Sequence, residues 1–157
     1  MDTPKEKNAQ NAGATVLLVE DSLYTRDILH IALKQNGYRV IEAEDGAIAE
    51  KILTDTAQSG TIDCVILDRL MPNLNGYELL TRIKQNPSIR EIPVIILSDI
   101  ESDEDVEKSK QLGAAAYLVK VRNIPYGVVE KVNQLVAESR TDWSTRDNQS
   151  PAPALEK

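Results

Sequence analysis

The chain predicts an α/β fold, a doubly wound parallel sheet of five strands with helices on both faces. Three observations carry the prediction. Short aliphatic runs recur, among them Val16-Leu17-Leu18-Val19, Val65-Ile66-Leu67 and Val94-Ile95-Ile96-Leu97. They lack polar alternation, as strands buried on both faces do. Longer amphipathic stretches separate them, and turn residues such as Gly37, Asp45-Gly46, Asn75-Gly76, Asn86-Pro87 and Gly113 mark the changeovers. Strand–helix alternation means βαβ units, whose right-handed crossovers put helices on both sides of one sheet.

The elements follow in order. Residues 1–13 are polar and aperiodic, and read as a disordered segment. Thr15–Val19 is a strand. A helix follows from about Ser22 to Asn36, its apolar stripe drawn from Ile28, Leu29, Ile31, Ala32 and Leu33 and its stop at Gly37. Arg39–Ala43 is a second strand and Ala47–Thr56 a second helix. Asp63–Leu67 is the third strand. Asn75-Gly76 opens a third helix over Tyr77–Gln85, ended by Asn86-Pro87. Pro93–Leu97 and Ala115–Val119 are the last strands, with a helix over Asp103–Leu112 between them. Pro125 lies in the first turn of a final helix reaching about Ser139. The folded domain is thus expected over 14–140, and 141–157 reads as a disordered tail carrying Trp143, a solvent-exposed aromatic or a docking anchor.

Composition narrows the function. The 157 residues carry a net charge of −7 and are 41% apolar. An acidic chain disfavours nonspecific nucleic-acid or membrane-surface binding. No apolar run nears the roughly 18 residues of a membrane span, and the polar N-terminus lacks a signal-peptide core, so the expectation is cytoplasmic. Cys64 is the sole cysteine and reads as a small core hydrophobe. His30 is the sole histidine; with no second His or Cys nearby, a metal site there is not expected.

The chemistry lies at the strand ends. The first strand ends in Glu20-Asp21, the third in Asp68, the fourth in Ser98 and the fifth in Lys120. In an open α/β sheet all of these face one crevice at the carboxyl edge. Gathered carboxylates repel one another unless a hard cation joins them, and Mg²⁺ suits oxygen ligands together with phosphate. An acidic pair, a nucleophilic carboxylate, a hydroxyl and an amine form a set for phosphoryl transfer. Singly, each residue also reads as a helix cap or a surface charge; their co-location favours the functional reading.

The run Glu20-Asp21, then Leu67-Asp68-Arg69-Leu70-Met71-Pro72 with Gly76, then Ser98, Tyr117 and Lys120, resembles the receiver domain of two-component response regulators. Spacings of 30 residues from Asp68 to Ser98 and 52 to Lys120 agree with it. The resemblance implies a flavodoxin-like (βα)5 fold with strand order 2-1-3-4-5. It implies Asp68 as phosphoacceptor from a histidine kinase or phosphotransfer protein. Mg²⁺ would sit among Glu20, Asp21, Asp68 and the backbone carbonyl of Leu70. Ser98 and Tyr117 would be a switch pair that biases a two-state equilibrium, reported on the face of helix four, strand five and helix five.

Three residues depart from the family pattern. Val121 stands where proline usually follows the lysine, so the loop is expected to be trans and rearranged, or strained. Asp99 replaces a small residue and reads either as a second acid at the mouth or as a solvated charge. Leu70, apolar and two places after Asp68, is unsuited to orienting a hydrolytic water, so a long-lived phosphoryl group is expected. Arg69 reads as a surface cation or as an attractor for the donor. The acidic run Glu101–Glu107 reads as the solvated start of helix four.

The expected function is a stand-alone receiver that catalyses only its own phosphorylation and dephosphorylation. It would act on a downstream protein target, not on nucleic acid or membrane, and a phosphorylation-dependent homodimer stays open. The alternative is a constitutive interaction module with a vestigial site. A true phosphatase or phosphotransferase is disfavoured, because Leu70 stands where a leaving-group acid is needed.

Overall fold

The computed structural model describes residues 13–55 and 60–149, the side chains of 141–149 excepted. The element order is β1 (Thr15–Val19), α1 (Leu23–Gln35), β2 (Arg39–Ala43), α2 (Gly46–Thr54), β3 (Ile62–Asp68), α3 (Gly76–Gln85), β4 (Val94–Ser98), α4 (Asp103–Gln111), β5 (Ala116–Val119), and, after one helical turn at Lys120–Asn123, α5 (Tyr126–Gln149). The five strands form one parallel sheet in the order β2-β1-β3-β4-β5, as expected.

Alternation within each strand sends side chains to two cores. Val16, Leu18, Cys64, Ile66, Ile95 and Leu97 pack with Leu29 and Leu33 of α1 and Val128, Val132 and Val136 of α5. Leu17, Val19, Val65, Leu67, Val94 and Ile96 pack with Leu53 of α2 and Leu79, Leu80 and Ile83 of α3. All twelve of these strand side chains are fully buried, so truncating one to alanine costs about 2–5 kcal/mol for a leucine or isoleucine. Burial pushes the Cys64 thiol up to about 12, which suits a core residue and not a nucleophile.

Short polar side chains start the helices. Ser22, Asp45, Asn75 and Ser102 each accept the amide three residues on, at 3.4, 2.9, 3.0 and 3.3 Å. Ser102, not Ser98, therefore caps α4.

The observed elements differ from the expected ones in three places. Ile31 is 57% exposed, because the buried face of α1 runs through Arg26, Leu29 and Leu33 at helical spacing. The Lys120–Val121 peptide is trans; the cis bond is Ile124–Pro125. The loop is thus rearranged, with Lys120 opening the helical turn Lys120–Asn123. Finally, α5 runs to Gln149, ten residues past Ser139. No glycine or proline interrupts 140–149, and the next breaker is Pro151. Residues 1–12 and 150–157, read above as disordered, lie outside the described residues, as does the Trp143 side chain.

Candidate functional site

Sheet register brings the polar strand ends together. Val19 of β1 stands beside Leu67 of β3, so Glu20 and Asp68 emerge at one height. Asp68 stands beside Leu97 of β4, and Ser98 beside Val119 of β5. Lys120 follows directly. The carboxyl edge of the sheet therefore holds Glu20, Asp21, Asp68, Ser98 and Lys120 around one crevice.

Lys120 sits between two carboxylates. Its Nζ is 3.2 Å from Asp68 Oδ2 and 3.2 Å from Glu20 Oε2, and it donates to Glu20 Oε1 at 3.3 Å. Glu20 is fully buried and Asp68 only 4% exposed. One ammonium cannot neutralise two buried acids. Burial and the Glu20 charge push the Asp68 carboxyl up to about 8, against the opposing pull of Lys120. The Lys120 ammonium is held above its ordinary range: Asp68 and Glu20 outweigh the opposite effect of its burial. Both directions describe one fact, an acidic site short of positive charge.

A divalent ion fits that shortage. One oxygen from each of Glu20, Asp21 and Asp68 lies within 4.8 Å of the others. All are hard oxygen donors, the set Mg²⁺ prefers. Glu20 Oε2 is buried with no hydrogen-bond partner, its 3.2 Å approach to Lys120 being electrostatic and unaligned. Such an orphaned oxygen is costly and is ready to bind a cation. Asp21 is exposed, on the solvent side.

The β3–α3 loop behind Asp68 is pinned at two glycines. The Gly76 amide donates to the Arg69 carbonyl at 2.9 Å. A Cβ on Gly76 would collide with the Asp68 carbonyl oxygen, and one on Gly46 with the Leu74 carbonyl oxygen. Only glycine allows these approaches. The Leu70 amide points at Asp68 Oδ1 from 3.4 Å, and its side chain is 60% exposed.

The β4–α4 loop connects to the site through Ser98 and Tyr117. Ser98 is 1% exposed, and its Oγ accepts the Ile100 amide at 3.0 Å. The Tyr117 hydroxyl donates to the Ile100 carbonyl at 2.6 Å. The two side chains thus grip one residue of one loop, from its amide and its carbonyl. Arg122 adds an exposed ion pair to Glu101 of the same loop at 2.6 Å.

The other two departures, Val121 and Asp99, and the flanking Arg69 also resolve into positions. Val121 is 84% exposed, yet Lys120 still reaches Asp68. Asp99 is exposed and is not one of the clustered carboxylates. Arg69 turns to α4, pairing with Asp105 at 2.8 Å and lying 5.0 Å over the Tyr77 ring. His30 bonds Glu42 at 2.7 Å, and no metal-ligating group of three or more forms around it among the described residues.

One residue was missed in the sequence. Arg26 is 8% exposed, and its Nη1 donates to the Glu20 carbonyl at 2.8 Å. Its signal was an arginine on the helical stripe shared with Leu29 and Leu33.

The chain is thus a doubly wound α/β domain with an acidic cluster and a lysine at the carboxyl edge of its sheet. The family model of the response regulator receiver domain matches residues 16–125, and the chain belongs to that family. It is 42% identical over 105 residues to a gliding motility regulatory protein of Myxococcus xanthus, covering 67% of this chain and 13% of that protein. It is 30% identical to the two-component response regulator ORR3 of rice, Oryza sativa subsp. indica, over 67% of this chain and 78% of that one. Among solved structures it is similar to the Vibrio cholerae chemotaxis protein CheY4, with a TM-score of 0.69 and 30% identity, covering 79% of this chain and 99% of that one. The chain therefore spans a small part of the Myxococcus protein and most of the rice and Vibrio ones. No helix among the described residues is long and apolar enough to cross a membrane.

Proposed function

We propose that the chain is a phosphorylation-dependent switch whose phosphoacceptor is Asp68. The observation that carries this reading is the arrangement of Asp68, Glu20 and Lys120. A buried carboxylate lies 3.2 Å from an ammonium, inside a group of three acids at the edge of a parallel sheet. In the reaction, an Asp68 carboxylate oxygen attacks the phosphorus of a phosphohistidine. The P–O bond forms, the P–N bond breaks, and the imidazole leaves and recovers a proton. Glu20, Asp21, Asp68 and the Leu70 carbonyl would hold Mg²⁺, which when bound offsets charge on the phosphoryl oxygens.

The chain's own residues do the rest. Lys120 pairs with Asp68 before transfer and with the phosphoryl oxygens after it. Ser98 exchanges its bond from the Ile100 amide for one to a phosphoryl oxygen. That exchange loosens the loop the Tyr117 hydroxyl holds, and the Tyr117 ring turns inward. The change appears on the α4–β5–α5 face, where a downstream protein reads it. The phosphodonor is a histidine kinase or phosphotransfer protein, the setting is cytoplasmic, and catalysis is confined to the chain's own phosphoryl group. No observation favours a vestigial site, because the Lys120 to Asp68 approach survives the Val121 substitution.

Intact-mass spectrometry after incubation with acetyl phosphate and Mg²⁺ tests the reading. The expected result is a gain of one phosphoryl mass, absent in Asp68→Asn. No gain in the wild-type chain overturns it.

A further inference from the structure

We infer that Arg26 is the positioning residue of the acidic site, setting the direction of Glu20 and Asp21 through the peptide that joins them. The inference rests on the reading of that site as a Mg²⁺ site.

Arg26 occupies a place where a charge is expensive. It lies on the inward face of α1 with Leu29 and Leu33. A guanidinium there must be paired or hydrogen-bonded to be tolerated. Its Nη1 donates to the Glu20 carbonyl at 2.8 Å. That carbonyl belongs to the Glu20–Asp21 peptide, which is planar. The Glu20 amide on the other side donates to the Ala43 carbonyl at 3.1 Å. Glu20 is thus clamped before and after its Cα, and the direction in which Asp21 leaves is fixed by the same guanidinium.

The remaining charge of Arg26 is met by Glu42 of β2. Arg26 Nε lies 3.4 Å from Glu42 Oε2, close enough for attraction but unaligned, so that Nε has no hydrogen bond. Glu42 Oε1 is held in turn by His30 Nδ1 at 2.7 Å. The chain His30, Glu42, Arg26, Glu20 carbonyl therefore runs from the surface of α1 to the site. Lys120 and Arg26 do different jobs. Lys120 touches the side-chain oxygens that an incoming cation would share, whereas Arg26 meets the acidic site only at the Glu20 backbone carbonyl and can keep its place when the site fills.

The test is the Mg²⁺ dissociation constant of the intact chain, by isothermal titration calorimetry at fixed pH, with unfolding midpoints as a control. Partners outside the ligand shell are worth about 10–100-fold in metal affinity. Arg26→Met is expected to weaken Mg²⁺ about tenfold, and Glu42→Gln about threefold. The double variant is expected to be no weaker than Arg26→Met alone, because Glu42 acts through the guanidinium. Arg26→Lys, whose ammonium reaches the carbonyl but lacks the fork, is expected to fall between wild type and Arg26→Met. Wild-type affinity in Arg26→Met, or additive losses in the double variant, overturns the inference. Should Arg26→Met not fold, Arg26→Lys carries the test, and unchanged affinity in it overturns the inference. A wild-type chain that binds no Mg²⁺ instead overturns the reading of the site itself.

Discussion

Arg69 and Asp105 join the end of β3 to the first turn of α4 through an ion pair of 2.8 Å, with both side chains less than a fifth exposed. Arg69 directly follows Asp68. Its guanidinium also lies over the Tyr77 ring, and the Tyr77 hydroxyl donates to the Asp105 carbonyl at 3.1 Å. Three elements, β3, α3 and α4, meet at this pair.

A pair this sheltered should be measurable, unlike an exposed one. Arg69→Ala and Asp105→Asn each should destabilise the chain, by about 1–3 kcal/mol. Their double-mutant cycle in urea should give a coupling of about 1 kcal/mol. The same cycle on Arg122 and Glu101, whose side chains are 56% and 68% exposed, should give a far smaller coupling.

The pH dependence of stability should run against the usual acidic trend. The Asp68 carboxyl lies at about 8 in the folded chain, raised from an ordinary 3.8. Between these values the folded state holds a proton that the unfolded state has lost. The Asp68 contribution is fully present below the unfolded value and is lost as pH rises through the folded one. In chelator, wild-type stability should therefore fall from pH 4 toward pH 8 relative to Asp68→Asn. Denaturant titrations of the two proteins at each pH check this.

The glycines behind the site should separate stability from binding. Gly76→Ala and Gly46→Ala both force a Cβ against backbone oxygen, and each should cost about 1–3 kcal/mol. Only Gly76→Ala presses on the Asp68 backbone, so it alone should also weaken Mg²⁺ binding. Urea midpoints and calorimetry on both variants distinguish the two effects.

Much of this site was legible in the sequence for one physical reason. Strands buried on both faces are unbroken aliphatic runs, so the polar residues that end them stand out, and a parallel sheet puts all those ends on one edge. Glu20, Asp68, Ser98 and Lys120 were found that way. Arg26 was not, because an arginine on a helical stripe looks like a face boundary until tertiary packing closes over it. Arg69 and Asp105 lie far apart in sequence, and no local pattern pairs them. The turn at Lys120–Asn123 was hidden because it starts at Val119 with no side-chain cap to mark it. The length of α5 was hidden because 140–149 is polar in composition like a tail, while the missing breakers allow helix to continue.

The exposed Leu70 side chain bears on the lifetime of the phosphoryl group. An apolar group there cannot orient an attacking water, so the wild-type acyl phosphate should persist for minutes or longer. Leu70→Asn should shorten its decay several-fold, as followed by phosphorus NMR after removal of the donor.

On the proposed reading, three acids at the ends of two neighbouring strands, β1 and β3, hold a divalent ion so that Asp68 can capture phosphorus. Borohydride trapping of the acyl phosphate, followed by peptide mapping, tests it most directly. The chain treated with acetyl phosphate should be reduced at Asp68 when Mg²⁺ is present and nowhere when Mg²⁺ is chelated. Reduction at another carboxylate, or at Asp68 equally well in chelator, would contradict it.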